Sequence, residues 1–97
     1  MLKEVKLYTG RIWLNKLDSL VGKARNGRYY RKYRLIDNNK FHTLTVFANK
    51  ASDLFSLPDT VVVNNLPVTP SAYKTDKEEE VTVYSTELTN LLACVKK

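Results

Sequence analysis

From Arg28 to Arg34 the chain reads Arg-Tyr-Tyr-Arg-Lys-Tyr-Arg, so that every residue is a cation or a tyrosine. Tyrosine favours strands, but a stretch this charged is poor material for a core, so any sheet that includes it must leave one of its faces to solvent. Cations interleaved with rings are also the material that holds phosphates while bases stack. Leu35 follows immediately. If Leu35 faces the core, the two-residue period of a strand puts Tyr33 on the inner face and Tyr30, Lys32 and Arg34 on the other.

The neighbouring segments supply partners for such a strand. Asp37-Asn-Asn-Lys40 is turn material, and Phe41 to Ala48 returns as a strand whose Leu44 and Val46 point inward. Thr43, Thr45 and Phe47 then share the exposed face with Tyr30, Lys32 and Arg34. Upstream, Val5 to Leu14 reads as a first strand with Val5 and Leu7 inward. Gly10 stands where a bulge would change the phase, leaving Ile12 and Leu14 inward and Arg11 and Trp13 outward. Without that change Trp13 joins the core. Residues 15–27 form a loop carrying Lys16, Lys23 and Arg25 and ending in the turn dipeptide Asn26-Gly27.

Downstream the period changes. Ala51, Leu54 and Phe55 have helical spacing, Asn49 or Ser52 is placed to cap, and Pro58 stops a helix of about two turns. Thr60 to Val63 is strongly β, and Asn64-Asn-Leu-Pro67 interrupts it with a turn or bulge. Val68 to Tyr73 continues as an edge or irregular strand because of Pro67 and Pro70. A polar hairpin loop from Lys74 to Glu79 leads to the alternating Val81–Thr86, and the apolar Leu88–Val95 returns to the core.

The 97 residues suit one domain, residues 1–97, with a single core. No apolar run reaches the roughly 18 residues of a membrane span, and Met-Leu-Lys-Glu lacks a signal peptide's apolar centre, so the expected location is cytoplasmic, in a cell or a virus-infected host. Cys94 stands alone, which rules out an intrachain disulfide and paired-cysteine metal motifs, and its apolar neighbours predict a buried thiol. The net charge of +6 is unevenly spread. Residues 1–34 hold ten Lys and Arg against Glu4 and Asp18, whereas residues 59–97 hold four against six acids. That distribution suits a surface built for a polyanion.

Catalysis finds little footing. His42 is the only histidine, with no placed serine or aspartate to make a triad. Glu78-Glu79-Glu80 alternate faces if extended, and Lys74 and Lys77 lie nearby, which suits a solvated loop better than a cation site. Glycines 10, 22 and 27 match no nucleotide-binding fingerprint. No enzyme activity, metal or cofactor is expected.

Three strands, a short helix and two more strands joined by a long hairpin suggest an all-β, five-stranded OB barrel with one short helix between strands three and four. Within that order, Tyr8-Thr-Gly-Arg11, Asn26-Gly27, Thr43-Leu-Thr-Val-Phe47 before Ala51–Leu54, Asp59-Thr-Val-Val-Val63, Tyr73-Lys-Thr-Asp-Lys77 and Val83-Tyr-Ser-Thr-Glu-Leu88 resemble successive elements of bacterial and phage single-stranded DNA-binding proteins. The resemblance implies cooperative, sequence-tolerant binding of single strands across strands two and three and the two long loops. It also implies a homodimer or higher homo-oligomer and a part in DNA replication. Pro58-Asp59 stands where the family has a glycine, and Cys-Val-Lys-Lys stands where cellular members carry an acidic tail. A minimal phage, plasmid or primosomal-accessory form therefore fits best.

On this reading Arg11, Lys23, Arg25, Arg28, Lys32 and Arg34 contact phosphates, Trp13, Tyr30, Phe47 and Tyr73 stack bases, and Lys74 supports Tyr73 at the hairpin. Two alternatives stay open: a replisome or primosome adaptor whose basic face meets an acidic protein segment, and a single-stranded RNA-binding module.

Overall fold

The computed structural model describes residues 5–14 and 20–95. Lys16, assigned above to the basic loop, lies outside the described residues. The hairpin that the alternation predicts is present as β3 (Tyr29–Asp37) and β4 (Lys40–Ala48). Asn38 and Asn39 join the two strands at φ 52° and 64°. A two-residue turn with both φ positive twists as the flanking strands do, and asparagine tolerates that conformation better than most residues. Tyr33, Leu35, Leu44 and Val46 are all buried, as the period requires.

β1 (Lys6–Leu14) pairs antiparallel with β3 and with the first part of β5 (Thr60–Lys74). Beyond Val68 the long β5 leaves β1, and from Thr69 onward it pairs antiparallel with β6 (Glu80–Glu87). Pro67 and Pro70 flank this handover. β6 in turn runs parallel to β4, from Leu44↔Tyr84 to Phe47↔Glu87. The sheet thereby closes into a ring of five strands, β1-β5-β6-β4-β3 and back to β1, with the two-residue β2 (Gly22–Lys23) laid against Tyr29 and Tyr30.

Side chains directed into the ring form one cluster that includes Ile12, Tyr33, Leu35, Leu44, Val63 and Leu66. Two short helices complete it. α1 (Ala51–Phe55) inserts Leu54, and α2 (Leu88–Cys94) inserts Leu88 and Leu91. Polar groups at the core boundary are satisfied: the Tyr33 hydroxyl donates to the Pro58 carbonyl at 3.1 Å and the Thr86 hydroxyl to the Pro67 carbonyl at 2.9 Å. The Arg31 guanidinium donates to the Leu54 carbonyl at 2.9 Å, supplying a partner to a carbonyl near the end of α1.

Several expectations need correction. Val5 and Leu7 are exposed, and Tyr8 is the inward residue of this part of β1. The phase change lies across the strand pair from Gly10. Tyr8 faces Leu66 while Gly10 faces Val63, so the extra residue belongs to β5. There Asn65 adopts φ 54°, and the buried set switches from Val61 and Val63 to Leu66 and Val68. β1 keeps one phase from Tyr8 through Ile12 and Leu14, which leaves Arg11 and Trp13 on the outer face. The Asn65 amide donates to Thr9 Oγ1 at 3.0 Å, tying the bulge to β1.

α1 is five residues long rather than two turns. Its N-cap is Lys50, without a side-chain cap bond, and Phe55 is exposed. The molecule has two helices rather than one, because Leu88 and Leu91 satisfy helical spacing where only an apolar return was expected. The fold is therefore mostly β rather than all-β. Cys94 is partly buried on α2, with its sulfur 3.7 Å from the Asn65 carbonyl. No helix among the described residues is long and apolar enough to cross a membrane.

Candidate nucleic-acid interface

The β3–β4 register decides which outward side chains are neighbours. Tyr30 stands opposite Phe47, Lys32 opposite Thr45 and Arg34 opposite Thr43, all on the outer face. β1 adds Trp13 opposite Arg34. Tyr30 and Phe47 meet with ring centroids 6.1 Å apart and planes tilted by 58°. At the other end Trp13 and Phe41 meet edge to face at 5.8 Å, reaching over β3 from the strands on either side of it. From the level of Tyr30 to that of Arg34 is about 13 Å at the usual strand rise. Two aromatic clusters thus bracket a polar and cationic stretch made of Lys32, Thr45, Arg34 and Thr43.

Phe41 was not among the expected site residues, although it has the same parity as Thr43 and Phe47. Its place at the start of a strand, next to a turn, hid it. It is 64% exposed, and Ile36 opposite it is also exposed, so this end of the face is apolar.

Glycine fixes the position of Tyr30. Gly22 in β2 lies opposite Tyr30, whose ring packs so closely that a Cβ at residue 22 would stand 2.5 Å from Tyr30 Cζ. Only a glycine lets the ring lie there. The Gly22→Ala variant is expected to turn the Tyr30 ring away and weaken oligonucleotide binding about threefold to tenfold, part of the worth of one stacking contact. Fluorescence anisotropy with a labelled oligo-dT measures this, and unchanged affinity would detach Tyr30 from binding.

The cations divide into two kinds. Arg11, Lys23 and Arg25 are exposed, and the Lys23 ammonium lies 5.7 Å from the centre of the Tyr29 ring. Arg28 is engaged. Its two terminal nitrogens donate to Glu87 Oε1 and Oε2 at 2.6 and 2.5 Å, its Nε donates to Asn49 Oδ1 at 3.2 Å, and its guanidinium lies 5.9 Å from the Phe47 ring centre. This hydrogen bonding holds the Glu87 carboxyl below its usual range and raises Arg28. Arg28, Phe47 and Glu87 border a cleft of about 310 Å³, together with Asn26, Ser85 and Asn90. Far from this cleft, Lys6 pairs with Asp37, which raises the Lys6 pKa.

Tyr73 and Lys74 sit at the end of β5, exposed, opposite Val81 and Glu80. Alternation gives Tyr73 the outer parity of Thr69 and Ser85. The parallel β4–β6 register directs the 75–79 hairpin toward the Phe41 end of β4, and the loop before β3 toward the Phe47 end. The expected residues therefore do not form one point. They form a track bounded by two loops, with Tyr73 and Lys74 beyond one end.

His42 packs edge-on against Tyr84, ring centroids 5.4 Å apart. Among the described residues no group of three or more His, Cys, Asp or Glu is placed to hold a metal ion. Comparison with known proteins finds no matching family model, no similar curated protein and no similar solved structure.

Proposed function

We propose that this chain is a non-enzymatic OB-fold protein that binds single-stranded DNA with little sequence preference, as a phage- or plasmid-type replication protein does. With β2 set aside, the ring order, the parallel contact of the third and fifth long strands and the helix between the third and fourth support an OB barrel. The observation that carries the reading is the shared outer face of Trp13, Tyr30, Phe47, Lys32 and Arg34 on the second and third long strands and their neighbour β1. Bases stack on the two aromatic clusters, and phosphates follow the cations between them. Arg11 extends the track along β1, and Lys23 and Arg25 extend it into the loop. Binding as a homo-oligomer belongs to the same reading.

Titration with oligo-dT is expected to quench Trp13 fluorescence. Affinity should fall with salt at a logarithmic slope of about −3.5 if about five phosphates are contacted. Competition with single-stranded RNA and duplex DNA ranks the ligands. An absence of binding at low salt, or a preference for duplex, would remove the proposal. Exposed Phe41 and Ile36 favour a second reading, a protein-interaction adaptor, in which oligonucleotide binding is weak and indifferent to Tyr30 and Phe47.

A further inference from the structure

We propose that the cleft beside Phe47 is a phosphodiester subsite occupied, in the free protein, by the protein's own Glu87 carboxylate, which an incoming single strand displaces from Arg28. The inference rests on the binding reading above and adds a masked position to it. A guanidinium offers the same two-pronged donor to a carboxylate and to a phosphate. Glu87 fills both prongs at 2.6 and 2.5 Å. Asn49 accepts from Nε and is independent of Glu87, so the guanidinium keeps its orientation when the carboxylate leaves. The Arg28 backbone is also fixed, since its amide donates to Asn26 Oδ1 at 3.0 Å.

Position and mobility agree with this role. Arg28 lies 5.9 Å from the centre of the Phe47 ring, which places a phosphate held there next to a base stacked at Phe47. The cleft of about 310 Å³ leaves room for the sugar-phosphate, with Asn26, Ser85 and Asn90 as further polar walls. The Glu87 side chain is 45% exposed, at the junction of β6 and α2, and makes no cap bond to the helix, so swinging it outward disturbs no core contact. Being ionised and paired, it excludes small anions. A strand that also stacks at Phe47 brings enough additional interaction to replace it. Arg28 thus contributes only to ligands that carry bases as well as phosphates.

The test compares oligo-dT binding and its salt slope in the wild type, Glu87→Gln, Glu87→Ala, Arg28→Ala and the Arg28→Ala/Glu87→Gln double variant. Asp53→Asn, on α1, serves as an equal change of charge elsewhere, and thermal melting checks each fold. Both Glu87 variants are expected to bind about fivefold tighter or more at low salt, with a slope steeper by about 0.7, the signature of one further phosphate contact. The gain should vanish without Arg28 and be absent in Asp53→Asn. Unchanged or weaker binding by the Glu87 variants overturns the proposal, as does a gain that persists without Arg28 or appears equally in Asp53→Asn. If the wild type binds and only these contrasts fail, the masked subsite falls alone. If neither the wild type nor Glu87→Gln binds, the reading beneath it falls too.

Discussion

Replacing Tyr30 and Phe47 together with alanine is expected to weaken oligo-dT binding about 100-fold while leaving the melting temperature almost unchanged. Each stacked base is worth about 1–3 kcal/mol, and the two rings touch, so their losses combine less than additively. Both side chains lie on the outer face of the ring, partly exposed and outside the core cluster. Their removal therefore strips the interface without opening a cavity. Anisotropy titration with a thermal melt for each variant separates the two effects. Affinity within about threefold of wild type would end the stacking account and shift weight to the adaptor reading.

The largest effect on stability is expected from Leu91→Ala. Leu91 is wholly buried and, with Leu88, anchors α2 in the same cluster as the strands. Truncating a buried leucine costs about 2–5 kcal/mol, depending on how far the surroundings collapse. Set against the roughly 5–15 kcal/mol that holds a typical domain together, that is a large fraction. Urea denaturation measures it through the midpoint at constant slope. A loss below about 1 kcal/mol would mean that α2 is only loosely attached to the folded unit.

The hairpin at the centre of the site was legible because local signals agreed. Tyr33 and Leu35 alternate with Lys32 and Arg34, Leu44 and Val46 with Thr43 and Thr45, and a turn-forming asparagine pair lies between. The bulge was misread because glycine is the stronger sign of irregular backbone, yet Asn64-Asn65 on the facing strand carries the extra residue. β1 was misread at Val5 and Leu7 for a related reason: hydrophobicity argued for burial, but the phase of the strand buries Tyr8, whose hydroxyl donates to the Arg11 carbonyl at 2.8 Å. α2 was missed because a short apolar run does not distinguish strand from helix. The pairing of Arg28 with Glu87 could not be read at all. It joins the loop before β3 to the end of β6, and only the parallel contact of β4 with β6 brings them together.

The course of the chain through the ring also bears on the order in which the molecule assembles. β3 and β4 are separated by only Asn38 and Asn39, so their pairing requires almost no loop closure. Closing the ring requires β1 to find β5, joining Trp13 to Thr60 and Lys6 to Val68 across most of the sequence. Long loops cost more entropy to close, and contacts between distant residues slow folding. The two strands that carry Tyr30, Lys32, Arg34, Thr43 and Phe47 thus belong to the most local part of the topology. Ring closure acts on the inner side of the same hairpin. Selection on the recognition surface and selection on folding speed consequently fall on alternate residues of β3 and β4, and each is free to vary with little cost to the other.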